Sequence, residues 1–208
     1  MNNACQPPST KVYVIRHGET EWNRAGRWQG HLDSPLTTAG IHQAQQVAQG
    51  LSGQTIDVLY SSDLGRARQT ADIIGKALHL NVITEPRLRE KHLGIAQGLT
   101  VKEVTERYPA EYQQLKSNDP DYAFPEGESR RQHGKRISHC CNELVQRHPS
   151  QTILLVTHGG SLNRLFYWTQ GIPLDAPCRF ATTNCAINQF VVSESTWQLE
   201  VWGDTAHL

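Results

Sequence analysis

The sequence predicts an α/β fold: a three-layer α/β/α sandwich on a mostly parallel central sheet, with a small helical and loop cap. Three observations predict it. Short apolar runs alternate with segments of helical period along the chain. The runs are continuous and β-branched, as in strands covered on both faces. A charged, proline-interrupted stretch at about residues 99–130 departs from the alternation and supplies the cap.

Each element has its own signal. The N-terminus, "MNNACQPPSTK", lacks the basic and apolar regions of a signal peptide, and residues 1–10, with Pro7, Pro8, Ser9 and Thr10, read as a frayed leader. Lys11–Ile15 is a short buried strand. "DSPLTTAG" is loop chemistry with Thr37 as N-cap, and Ile41, Ala44, Val47, Ala48 and Leu51 then repeat at helical spacing. Asp57–Tyr60 is a second strand, leading through "SSDLG" into a helix over Arg66–Leu78. Asn81–Glu85 is a third candidate strand. Val101–Lys116 is helical but broken at Pro109, and Ser117–Ser129 is a loop. Arg130–Arg147 is a long helix with Ile137, Cys141, Leu144 and Val145 on its inner side. Thr152–Thr157, "TILLVT", is the strongest strand signal. A helix over Leu162–Gln170 follows, then alternating strands at Ala186–Ser193 and Trp197–Trp202.

A chain of 208 residues with 38% hydrophobic and 19% charged residues fits one soluble globular domain carrying the cap as an insertion. The net charge is zero with histidines neutral, which argues against a nucleic-acid surface, so any anion must be drawn by a local arginine cluster. No apolar run is long enough to span a membrane. Five cysteines (Cys5, Cys140, Cys141, Cys178, Cys185) without a C-x-x-C pair argue against a disulfide scaffold or a zinc site and for a reducing cytoplasm. The final strands leave a homodimer open without requiring one.

Ligands of open α/β sheets sit beyond the carboxyl ends of the strands. Three strands here end in related chemistry: Arg16–His17–Gly18, Ser61–Ser62 followed by Arg66, and His158–Gly159–Gly160. Two histidines with a carboxylate suit a metal, but two arginines in the same pocket oppose a cation and favour phosphate oxygens. Gly18, Gly159 and Gly160 let the backbone approach a ligand closely. The pattern is that of a phosphate pocket with a histidine free to act as nucleophile.

"RHGETEWN", "DSPLT", "SSDLGRARQTA", "RLREKHLG" and "VTHGG", in that order, resemble the signature of the histidine phosphatase superfamily, the phosphoglycerate-mutase-like fold. The end, "WGDTAHL", is similar to the tail of its small broad-specificity phosphatases. The resemblance implies a metal-independent phosphomonoester hydrolase acting on a small phosphorylated metabolite, without cofactor. His17 would be the phosphorylated nucleophile. Arg16, Asn23, Arg66 and His158 would hold the phosphoryl group, and Glu90 would be the proton donor and later the base. Gln29, Gly30 and Gly159 would add contacts from loops, chiefly through the backbone, and Glu19 and Thr20 match the motif without a defined role. An attacking ring nitrogen must carry its lone pair, so the other nitrogen of His17 should donate, for instance to a backbone carbonyl.

Several rivals share these features. A phosphoglycerate mutase uses the same phosphohistidine, but family mutases carry an arginine-rich insertion for the substrate carboxylate, where this cap offers only Arg107 and Lys116, and favour tyrosine where this chain has Leu93. A non-catalytic binding protein would usually have lost the nucleophile or the acid. Cys141 and Arg147 have the C-x5-R spacing of cysteine phosphatases, inside a helical run. Asp119–Pro120–Asp121 has aspartyl-phosphate spacing but follows no strand. The "HGGS" at His158 suits an esterase oxyanion turn, but no G-x-S-x-G elbow accompanies it. Tyr108, Tyr112, Tyr122, Phe124, Trp22 and Trp28 either line an aromatic rim or pack the cap.

Overall fold

The computed structural model describes residues 9–177 and 181–208. Its centre is a six-stranded sheet of β1 (Ser9–Arg16), β2 (Val58–Ser61), β3 (Val82–Thr84), β4 (Thr152–Thr157), β5 (Ile187–Ser193) and β6 (Thr196–Asp204). The spatial order is β3-β2-β4-β1-β5-β6. The first four strands run parallel, while β5 and β6 are antiparallel to their neighbours.

The period-two alternation of a strand divides the core into two layers. On one face Val12, Val14, Ile153 and Leu155 pack against Ile137, Cys140, Cys141 and Leu144 of α6 (Arg130–Arg147) and Leu162 and Leu165 of α7 (Gly159–Thr169). On the other face Tyr13, Ile15, Leu154 and Val156 meet Ala44, Val47 and Ala48 of α2 (Thr38–Gly50) and Ala67, Ala71 and Ile74 of α3 (Gly65–Leu78). This is the expected sandwich.

Some boundaries differ from expectation. Ser9 and Thr10 are not frayed but open β1, paired with Ser193 and Val192 of β5. Thr10 is buried and its hydroxyl donates to the His148 carbonyl (3.0 Å). Pro7 and Pro8 lie outside the described residues, as do Cys5 and Cys178. The third strand shortens to Val82–Thr84. Gly159 and Gly160, expected in a loop, form the first turn of α7, with His158 in extended conformation as its N-cap. Two glycines in sequence suggest a turn, but tertiary contacts described below hold them helical.

The cap contains α4 (Val101–Arg107) and α5 (Pro109–Lys116), separated at Tyr108 because Pro109 cannot donate to the preceding turn. Ala96, Val104 and Phe124 form its small core, with Trp28, Leu93, Tyr112, Leu115 and Tyr122 packed against it. The cap is fastened to the loop that follows α1 (Glu21–Arg24). Trp28 N–H donates to Leu99 O (2.9 Å), Gly98 N–H to Trp28 O (2.7 Å), and Arg27 pairs with Glu103 (2.7 Å).

Candidate active site

Strand register places the site. Arg16 stands opposite Thr157, and Ser61 opposite Val156. The next residues, His17, His158 and Ser62, therefore emerge side by side at the carboxyl edge of three adjacent strands. The His17 and His158 ring centroids are 5.2 Å apart.

His17 is 3% exposed. Its Nδ1 lies 2.8 Å from the Gly18 carbonyl, which can only accept, so Nδ1 carries the proton and Nε2 the lone pair. The Arg66 Nε–H points at that Nε2 from 3.3 Å. Burial, then the Arg16 and Arg66 charges, holds the His17 pKa well below its ordinary value. Burial likewise keeps His158 neutral, assisted by Arg66. His158 Nε2 meets the Ser62 hydroxyl (2.8 Å), and its buried Nδ1 has no hydrogen-bond partner among the described residues.

The two arginines are held differently. Arg66 is 2% exposed and donates to the Leu32 carbonyl (2.8 Å), the Gly30 carbonyl (2.8 Å) and the Asp33 carboxylate (2.9 Å). Asp33 in turn accepts the N–H groups of Gly65 and Arg66 at the start of α3, so it fastens helix and guanidinium together. Arg16 donates from Nη1 to the Thr182 carbonyl, while its buried Nε has no hydrogen-bond partner among the described residues. Arg16, His17 and Arg66 thus line one floor, with the His158 ring beside that of His17.

Glu90 follows a 3-10 turn at Pro86–Leu88. Its Oε2 accepts the Gly160 N–H and its Oε1 the Lys91 N–H, both at 2.8 Å. Each oxygen keeps a second acceptor direction. A Cβ on Gly160 would stand 2.2 Å from Glu90 Oε1, so only glycine admits the carboxyl group at the first turn of α7. Arg136 of α6 donates to the carbonyls of Arg87 (2.7 Å), Arg89 (2.8 Å) and Glu90 (3.1 Å), which fixes the turn that carries Glu90.

The floor opens into a cavity of about 600 Å³ lined by all the expected residues, Arg16, His17, Asn23, Gln29, Gly30, Arg66, Glu90 and Gly159, except His158, whose ring adjoins that of His17. Asn23 sits in α1, where its Oδ1 accepts the Thr20 N–H (3.2 Å) in a capping box. Gly30 uses its carbonyl on Arg66, and Gly159 is helical rather than a loop residue. Glu19 and Thr20 act on the backbone: Glu19 accepts the Thr37 hydroxyl (2.8 Å) and Thr20 caps α1. Gly18 is required for a reason different from ligand approach, because a Cβ there would stand 2.4 Å from the Gly40 carbonyl of α2.

Other sequence readings separate here. Cys141 is buried inside α6, where desolvation pushes its thiol well above the ordinary range, and Arg147 is exposed and paired with Glu143. No phosphate cradle forms between them. Asp121 is exposed and paired with Arg131. Of the six aromatics, Trp28 and Phe124 line the cavity, whereas Tyr112 and Tyr122 pack the cap. Arg107 and Lys116 do not line it.

Sequence reasoning missed Lys91, Arg130, His133 and Arg164, all of which line the cavity. His133 is 1% exposed; its Nε2 is 3.0 Å from the Ser161 hydroxyl and 3.9 Å from Glu90 Oε1. Ser161 donates to the Arg89 carbonyl (3.0 Å), so His133 Nε2 carries the proton toward it. The available signal was periodicity: His133 shares the inner face of its helix with Ile137 and Leu144, a polar residue on an apolar stripe. Among the described residues no group of three His, Cys, Asp or Glu side chains is placed to hold a metal ion.

The model of the histidine phosphatase superfamily (branch 1) matches residues 12–205. The chain belongs to that superfamily. It is 39% identical over 203 residues to the probable phosphoglycerate mutase GpmB of Yersinia pestis, covering 95% of this chain and 94% of that one. Among solved structures it resembles YhfR of Bacillus stearothermophilus (TM-score 0.88, 33% identity, 95% and 98% of the two chains). It also resembles a mycobacterial glucosyl-3-phosphoglycerate phosphatase (TM-score 0.83, 30% identity, 94% and 99%). The fold is that of the phosphoglycerate-mutase-like phosphatases.

Proposed function

We propose that this histidine phosphatase superfamily member is a phosphomonoester hydrolase working through phosphohistidine at His17. The carrying observation is the tautomer: Nδ1–H is fixed on the Gly18 carbonyl, leaving the Nε2 lone pair facing the Arg66 guanidinium. In the first step His17 Nε2 attacks phosphorus and the phosphorus–oxygen ester bond breaks. Glu90, entering as its acid, gives its proton to the departing alkoxide. Arg16 and Arg66, which line the cavity, would contact the equatorial oxygens, where charge is stabilised during phosphoryl transfer, and the adjoining His158 would offer them its Nδ1. In the second step water attacks the phosphohistidine, Glu90 takes its proton, and the phosphorus–nitrogen bond breaks to return His17 and release inorganic phosphate. The fixed positive groups supply the field, so no metal is invoked. Among the described residues Cys140, Cys141 and Cys185 are free and buried, which suits a reducing cytoplasm.

The test is hydrolysis of p-nitrophenyl phosphate in EDTA over about pH 5 to 8. We expect turnover and an acid-labile, base-stable phosphoenzyme. His17→Ala should abolish the phosphoenzyme and lower kcat on the order of 10⁴-fold or more. An unchanged rate in that variant would overturn the assignment. The name of the Yersinia relative supports a second reading, phosphoryl return to the other hydroxyl of phosphoglycerate. Appearance of 2-phosphoglycerate from 3-phosphoglycerate, in place of inorganic phosphate, selects it.

A further inference from the structure

His17 sits one residue past the end of its strand, and the main chain there changes partners. Pairing of β1 with β5 ends at Ile15 and with β4 at Arg16. The peptide group before His17 is still held by main chain on both sides. Its carbonyl, that of Arg16, accepts the Cys185 N–H (2.9 Å), and its N–H donates to the Thr157 carbonyl (2.9 Å). The peptide group after His17 is held by side chains instead. Its carbonyl accepts from the Asn184 amide (2.7 Å), and its N–H, that of Gly18, donates to the Thr70 hydroxyl oxygen (3.0 Å). A trans peptide points its two polar groups in opposite directions, so Asn184 and Thr70 grip one plane from both sides.

Thr70 is fully buried on α3. Its hydroxyl donates to the Arg66 carbonyl (2.8 Å) one turn earlier, which leaves its lone pairs for Gly18. The His17 main chain is thereby referred to the helical turn that carries the Arg66 guanidinium, the group that faces His17 Nε2. Asn184 lies two residues beyond Thr182, whose carbonyl holds Arg16. Gly18 adds no restraint of its own, because a glycine backbone turns more freely than any other. Yet its carbonyl is the acceptor that keeps the proton on His17 Nδ1. The peptide bearing that carbonyl has one further tie, the Glu19 N–H on the Gln43 amide oxygen (2.9 Å). Were the carbonyl to swing away, the neutral ring would be free to place its proton on Nε2 and lose the lone pair there.

We propose that Thr70 and Asn184 are positioning residues: together they fix the plane of the His17–Gly18 peptide and so select the His17 tautomer that attacks phosphorus. Neither lines the cavity, so both act through the main chain and not on substrate. The kinetic consequence rests on the phosphohistidine reading above, whereas the tautomer is read without turnover.

Nitrogen NMR of isotope-labelled histidine rings tests it, at about pH 7.5, above the ordinary histidine range. The His17 signals are assigned by their loss in His17→Ala. Wild type should show a protonated Nδ1 and a bare Nε2. Thr70→Val keeps the side-chain shape and removes the hydroxyl. That variant and Asn184→Ala should each move the proton at least partly to Nε2, and Thr70→Ser should restore the wild-type pattern. On p-nitrophenyl phosphate, Thr70→Val should lower kcat about ten- to hundredfold, the scale of a reacting group misplaced by about an ångström, with KM changed less than about threefold. Thr70→Ser should recover most of that loss. If Thr70→Val does not fold, Asn184→Ala, at a half-buried position, carries the comparison. An unchanged Nδ1–H tautomer in the folded variants overturns the proposal even where kcat falls, since loosened packing lowers activity without moving a ring proton. A shifted tautomer with an unchanged kcat supports the clamp and overturns His17 as nucleophile. Should the wild-type protein not hydrolyse p-nitrophenyl phosphate, the hydrolase reading falls and the tautomer comparison decides the clamp by itself.

Discussion

The floor and the outer wall of the cavity are built on opposite plans. On the floor His17, His158 and Arg66 are 3%, 0% and 2% exposed, and each is tied to a main-chain carbonyl or a neighbouring hydroxyl. They sit at the ends of adjacent strands or on the helix that follows one. The outer wall draws Lys91 and Arg130 from a turn and a helix start, and Trp28, Leu93 and Phe124 from loops around the cap. The floor is rigid because its atoms are shared with the sheet. The wall depends on packing among elements distant in sequence. Under the proposed function, chemistry is fixed by register and the choice of alcohol by assembly.

Three substitutions and a titration sharpen this contrast. The largest effect is expected at the seam, where Gly160 touches Glu90. Gly160→Ala should push the carboxyl group aside and slow alkyl phosphates by about 10²-fold or more, the scale of general acid help, while p-nitrophenyl phosphate suffers less because its leaving group needs little protonation. Equal losses on both esters would detach Glu90 from the protonation step. Next, Gly18→Ala forces a methyl group against the Gly40 carbonyl, and overpacking should cost about 1–3 kcal/mol, read as a lower urea midpoint. An unmoved midpoint would mean that the floor yields as readily as the wall.

The third test uses pH. His17, His133 and His158 all have pKa values lowered well below the ordinary histidine value, burial being the main cause in each. The unfolded chain takes up protons near pH 6.5 that the folded chain refuses, so their contribution is complete above that pH and is lost as pH falls toward the depressed folded values. Each histidine adds up to about 1.4 kcal/mol per pH unit to the slope in that window. His133→Phe should remove one such contribution, seen by comparing urea midpoints at about pH 7.5 and pH 5.5 with wild type. An unchanged slope would show that His133 protonates without opening the fold. For the same reason His17 should remain a competent nucleophile below the ordinary histidine pKa.

The floor was legible in the sequence because a strand end is a local event. Arg16, His17 and His158 each close an apolar run, and the parallel pairing of β1 with β4 follows from those runs. Helix starts were less legible. Gly159 and Gly160 carry loop propensity, and what holds them in α7 is a carboxyl group 70 residues earlier in the chain. Gly18 was visible as a required glycine, but its partner, Gly40, was not, because only the packed α2 reveals it. The outer wall was the least visible. Lys91, Arg130 and Arg164 look like ordinary surface charge in sequence, and only the packing of α6 and α7 beside the Glu90 turn brings them to one cavity.

The adjacency of β1 and β4 has a consequence for the chain between them. His17 and His158 are neighbours in space, yet most of the protein separates them in sequence. With respect to the two histidines, that intervening polypeptide is one closed loop, anchored at both ends by the same parallel ladder. Closure entropy grows only logarithmically with loop length, by about 0.6 kcal/mol per doubling. Residues added to or removed from the cap therefore change little in what it takes to bring the pair together. A chain of this design can trade one cap for another without refolding the strand ends that carry the two histidines.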